Sequence, residues 1–166
     1  EEARGKAPAA EQHYRAALAA NPEYVPARLN YGALLQATGR LDEALEQFRA
    51  ALQADPLSAL AHESLGSALL ARGDVDAGAE ELRRALELNP GLWRAHFNLA
   101  AALLMKRDFV GAEREYRLTI ALNPAHGPAR LNLGLALLAQ GREGEARAAF
   151  EEARRMGMDV ELPPEE

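Results

Sequence analysis

The sequence predicts an all-α protein made of antiparallel helix pairs that recur along the chain. Three observations predict it. Asn21-Pro22, Asp55-Pro56, Asn89-Pro90 and Asn123-Pro124 stand 34 residues apart. Columns of small residues (Ala10, Ala44, Gly78, Ala112, Ala146) and of large apolar ones (Tyr14, Phe48, Leu82, Tyr116, Phe150) keep the same interval. Between these signals apolar residues fall at helical spacing, and no stretch alternates with the period of two that a strand requires. Six or more columns in register exclude coincidence, and a constant period of this length marks a repeat architecture.

Composition agrees. The 166 residues are 48% hydrophobic, 27% charged and only 5% aromatic, so the core must be Leu and Ala, both strong helix formers. A formal net charge of -6 weighs against nucleic acid or an anionic membrane surface as a partner. The longest apolar runs, Leu99–Met105 and Leu133–Ala139, fall far short of the roughly 18 residues that a membrane span needs. No membrane insertion is therefore expected. Cysteine is absent, which excludes disulfides, thiolate chemistry and cysteine-ligated metals. The chain opens Glu1-Glu2-Ala3-Arg4, without an initiator Met or an apolar targeting segment, as in a processed chain or a piece cut from a longer one.

The elements follow in order. A first helix is expected over about Pro8–Asn21, then four pairs. In the first complete unit, Val25–Thr38 is apolar at Leu29, Leu34 and Leu35, and Gly39 supplies a left-handed stop. Leu41–Ala54 resumes with Leu45, Phe48 and Leu52, and Asp55-Pro56 ends it, because proline cannot continue a helix. Gly5, Gly73 and Gly141 share the stop column, but Arg107 stands in it too. Arg107 is thus expected at positive φ, at a cost near ~1 kcal/mol. Asp74 and Asp108 precede second helices, where a carboxylate can accept from free backbone N–H groups. Arg147 and Arg154 replace mostly apolar columns in the last unit and read as a terminal cap.

The organisation is an array over 1–157, comprising a partial repeat (1–22) and repeats 25–58, 59–92, 93–126 and 127–157, then an acidic tail at 158–166. With Gly5 as a stop, Glu1–Gly5 is the last turn of a helix whose beginning is absent. The side of the first helix around Ala10 and Tyr14 should then be exposed and apolar, favouring self-association there.

Leu65-Gly66, Ala44, Phe48, Ala51 and Pro56, with their counterparts 34 residues away, closely resemble the tetratricopeptide repeat over nearly the whole chain. The resemblance implies a right-handed superhelical solenoid whose first helices line a concave groove for a protein or peptide partner. Where the family often opens its first helix with an aromatic, this chain has Arg28, His62, His96 and Arg130. A long Arg stem can pack there while its head reaches solvent.

No catalytic constellation is legible. His62 and His96 lie one repeat apart without a third ligand column. Glu80-Glu81, Glu113 with Glu115, and Glu151-Glu152 diverge on their helices or sit on solvated faces, and Ser58, Ser64 and Ser67 lack His and Asp context. The reading is a non-enzyme with no cofactor or metal. What remains is a surface. The sixth residues of the first helices are Asn30, Ser64, Asn98 and Asn132, a line of donors and acceptors. It is similar to the asparagine ladder of the O-linked N-acetylglucosamine transferase repeat domain, which holds an extended peptide by its backbone. The alternative is that these side chains brace neighbouring helices.

Flanking the ladder are Leu29, Glu63, Phe97 and Leu131, then Ala33, Ser67, Ala101 and Leu135, with Glu63 and Arg94 as the charged features. The Lys, Arg and Asn set of a carboxylate clamp is missing, so capture of an acidic C-terminus is not expected. The function read from this is a scaffold binding a peptide segment of a partner. Its alternatives are the substrate-recruiting part of a larger enzyme, such as a glycosyltransferase, and a self-assembly module.

Overall fold

The computed structural model describes residues 2–160, with side chains from residue 8 onward. Nine helices and no strand occur among the described residues: α1 (Glu2–Ala20), α2 (Val25–Ala37), α3 (Leu41–Ala54), α4 (Ala59–Arg72), α5 (Val75–Leu88), α6 (Trp93–Met105), α7 (Phe109–Leu122), α8 (Gly127–Leu138) and α9 (Glu143–Arg155). None is long and apolar enough to cross a membrane. The chain forms two compact units, Glu1–Asn89 and Pro90–Glu166.

In the first unit each helix packs on the next, and α2 also touches α4. Tyr31, Leu35, Leu45, Phe48, Leu65 and Leu69 form its core, with Tyr14, Leu18, Leu29 and Leu52 packed against it. The helices can approach because small residues stand where they cross. A Cβ on Gly32 would lie 2.4 Å from the Phe48 ring. In the second unit α6–α9 pack successively, and α6 touches α8. Leu99, Tyr116, Leu133, Leu137 and Phe150 are buried there, and Phe150 fills the space over Gly134 as Phe48 does over Gly32.

Several expectations meet the structure directly. Arg107 has φ 63°, and Gly39, Gly73 and Gly141 are left-handed like it. Arg107→Gly should therefore raise stability by up to about 1 kcal/mol, read as a higher denaturation midpoint with unchanged slope. Asp108 caps α7 by accepting from the Gly111 N–H at 2.9 Å. Asp74 does not cap α5, because its carboxylate is taken by the Arg72 guanidinium two residues back. Ser58 and His126 cap α4 and α8 instead. Arg154 is exposed and Arg147 pairs with Glu151. After Gly157 (φ 85°), Met158 folds back over Gly127, and residues 161–166 of the tail lie outside the described residues.

The N-terminus differs from expectation. α1 runs unbroken from Glu2 through Gly5 and Pro8. Continuing the helix through Gly5 keeps its backbone hydrogen bonds, and the missing Pro8 N–H forfeits a single one. The side expected to be bare is half covered by the chain itself. Tyr14 packs on Tyr31 with ring centroids 6.2 Å apart. The Tyr31 hydroxyl donates to Glu11, and Arg40 reaches from the start of α3 to the same Glu11 carboxylate. Arg40 also pairs with Glu43, and Arg142 repeats the arrangement in the second unit with Glu113 and Glu145. In those columns an arginine cannot cap N–H groups, so it ties the second helix back to its predecessor.

Candidate functional site

The residues of the expected groove lie on first helices, and each unit holds its own set. In the first unit α2 presents Asn30 and Ala33 to solvent, with Leu29 half-buried against the core. Neighbouring α4 contributes Glu63, Ser64 and Ser67, all half-buried. This face is small and polar.

The second unit is richer. On α6, Arg94 is exposed, with its guanidinium 4.9 Å from the Trp93 ring centre. Phe97 lies 5.8 Å from Tyr116 and 4.7 Å from His126, while His126 lies 4.9 Å from Trp93. The His126 Nδ1 accepts the Ala129 N–H at 3.1 Å, and burial holds its pKa below the ordinary histidine value. Asn98 and Ala101 are half-buried beside Phe97 in sequence; across on α8 stand half-buried Leu131 and Asn132, and Leu135, 43% exposed.

One buried atom bears on the ladder. The Tyr116 hydroxyl is enclosed and makes no hydrogen bond of good geometry. Burial pushes its pKa up to about 12, and the Asn132 amide opposes that shift. Asn132 itself is half-buried on α8. Asn30, by contrast, is exposed.

Two features escaped the sequence reading. The residues at the fourth position of each first helix (Arg28, His62, His96, Arg130) do more than pack. Each places one nitrogen on the carbonyl oxygen of the preceding turn's proline and another on a second-helix side chain. The signal was available: Gln47, Glu81 and Glu115 recur 19 residues after Arg28, His62 and His96. In the last repeat that column holds Ala149, and Arg130 reaches Glu152 instead, at 3.1 Å. The second feature follows from this. Ala148 and Ala149 replace the long side chains of earlier repeats, and a cavity of about 430 Å³ opens over Ile120, Leu133 and Leu137, rimmed by Arg117, Glu145 and Glu152.

The tetratricopeptide repeat family matches residues 1–59, 34–92, 63–126 and 111–160. The chain belongs to the tetratricopeptide repeat family. As such it is a protein-interaction scaffold, and its helix pairs are the family's repeats. No curated protein matches it in sequence. Among solved structures it is similar to MamA, at 27% identity over 94% of this chain and 91% of that one, with a TM-score of 0.82. A second MamA structure gives 26% identity over 98% and 92%, with a TM-score of 0.80. PilF of Pseudomonas aeruginosa shares the fold, at 21% identity over 95% of this chain and 72% of its own, with a TM-score of 0.86.

Proposed function

We propose that this tetratricopeptide array is a non-catalytic scaffold that binds a peptide segment of a partner protein on the first-helix face of its second unit, between α6 and α8. The observation that carries the reading is the pairing of Asn98 and Asn132 with uncovered apolar side chains, above all Leu135, 43% exposed beside half-buried Leu131 and Phe97. Amides that can both donate and accept suit a peptide backbone, and the apolar neighbours suit its alternate side chains. Arg94 adds a single exposed cation at the start of α6. In the first unit Asn30, Ser64 and Ser67 offer the same chemistry with fewer apolar neighbours.

The test uses a peptide selected on the wild-type chain from a display library, with its affinity followed by calorimetry. Asn98→Ala combined with Leu135→Ala should weaken it by roughly 1–3 kcal/mol with little change in melting temperature, since both side chains are reachable by solvent. Asn132→Ala should weaken binding in the same way, as the second amide of the pair. Unchanged affinity in the first variant would place the binding face elsewhere.

A further inference from the structure

The fourth position of the first helix is occupied by two chemistries that do one job. Arg28 donates from Nε to the Pro22 carbonyl at 2.7 Å and from Nη1 to Gln47 at 3.1 Å. Arg130 donates from Nη1 to the Pro124 carbonyl at 2.6 Å and from Nε to Glu152 at 3.1 Å. His62 and His96 make the equivalent pair of contacts. The His96 Nε2 lies 3.0 Å from the Pro90 carbonyl and its Nδ1 2.7 Å from the Glu115 carboxylate. For His62 the distances are 3.2 Å to the Pro56 carbonyl and 2.6 Å to Glu81. Both partners of each ring are acceptors. A neutral imidazole carries one N–H and can satisfy only one of them; an imidazolium carries two and satisfies both, as the guanidinium does.

We propose that His96 is a proton-operated clamp: as imidazolium, it ties the turn entering its repeat to the second helix of that repeat, and deprotonation releases one of the two ties. The α6/α7 pair therefore loosens as pH rises, while α2/α3 and α8/α9, held by arginine, do not.

The surroundings of His96 agree. Its side chain and that of Glu115 are 9% and 6% exposed, so the pair is well shielded from solvent. Glu115 raises the His96 pKa above 6.5, and Arg114, which pairs with the other Glu115 oxygen, opposes it. On α6 itself Arg94 lies over Trp93, and on α8 Arg130 is engaged with Glu152 and the Pro124 carbonyl. For a base whose folded pKa lies above its unfolded value, the stabilisation is complete below the unfolded pKa and is lost as pH rises through the folded one. Glu115, held below its ordinary 4.5, sets the opposite limit, so the clamp is tightest between the two titrations.

The test compares the wild-type chain with a His96→Arg variant. Nuclear magnetic resonance titration of the wild-type histidines should give a His96 midpoint above 6.5, accompanied by concerted shifts of α6 and α7 amides. From pH 6 to pH 9 the wild-type melting temperature should fall about 2–4 °C more than that of the arginine variant. A His96 midpoint at or below 6.5, or parallel melting profiles for the two proteins, overturns the proposal. Should the arginine variant fail to fold, the wild-type titration decides alone: a raised midpoint with moving α6 and α7 amides supports the clamp, and a midpoint without them overturns it.

Discussion

Phe48→Ala should lower the stability of the first unit by about 3–5 kcal/mol, the largest loss expected from any single truncation in that core. Phe48 is 1% exposed, and its ring covers Gly32, where no side chain exists to collapse into the space left behind. Tyr31, Leu35, Leu45 and Leu65 belong to the same buried cluster and would be left around the cavity. Repeat arrays are coupled mainly between neighbours, so the loss should be concentrated where the cavity is. Chemical denaturation read by amide exchange would show α2, α3 and α4 losing protection first, with α8 and α9 least affected. Uniform loss across all helices would contradict the local account.

Gly66→Ala should destabilise by about 1–3 kcal/mol even though alanine is the better helix former. An added Cβ would stand 2.7 Å from the Leu82 side chain and 2.9 Å from the Gly78 carbonyl oxygen. Leu82 is fully buried, and the carbonyl belongs to the backbone of α5, so neither can step aside without moving a helix. Gly78 faces the same obstacle from the other direction, 3.0 Å from the Gly66 carbonyl. The third repeat has Ala100 opposite Tyr116 in the corresponding place. The size of the Gly66 penalty thus measures how far α4 and α5 can slide apart to adopt that spacing. A midpoint equal to or above wild type would show that they slide freely.

The repeat period, the helix order and every stop but the one expected at Gly5 were legible in the sequence, because each depends on chemistry within a few residues. Asn-Pro and Asp-Pro end helices by removing a donor and restricting the preceding residue. The column of Gly39, Gly73 and Gly141 announced the left-handed turn, and Arg107 adopts it despite its side chain because the pattern on both sides demands it. The small and large columns fixed which faces meet, hence the core around Phe48, Tyr116 and Phe150. Counting likewise assigned Asn30, Asn98 and Asn132 to first helices, where α2, α6 and α8 carry them.

Tertiary structure decided what depends on a partner far along the chain. Asp74 and Asp108 look alike in sequence, yet only Asp108 caps its helix, because Arg72 claims the other carboxylate. The N-terminal helix runs through Gly5 and Pro8, although the same column ends a helix at Gly39, Gly73 and Gly141. The Tyr116 hydroxyl is enclosed without a hydrogen-bond partner, which the sequence does not announce. The paired acceptors around His96, the Pro90 carbonyl and Glu115, meet only when α6 and α7 close on each other. Local rules set where each helix begins and ends; which polar atoms share a buried space is set only once the helices pack, because burial removes the water that would otherwise satisfy each of them separately.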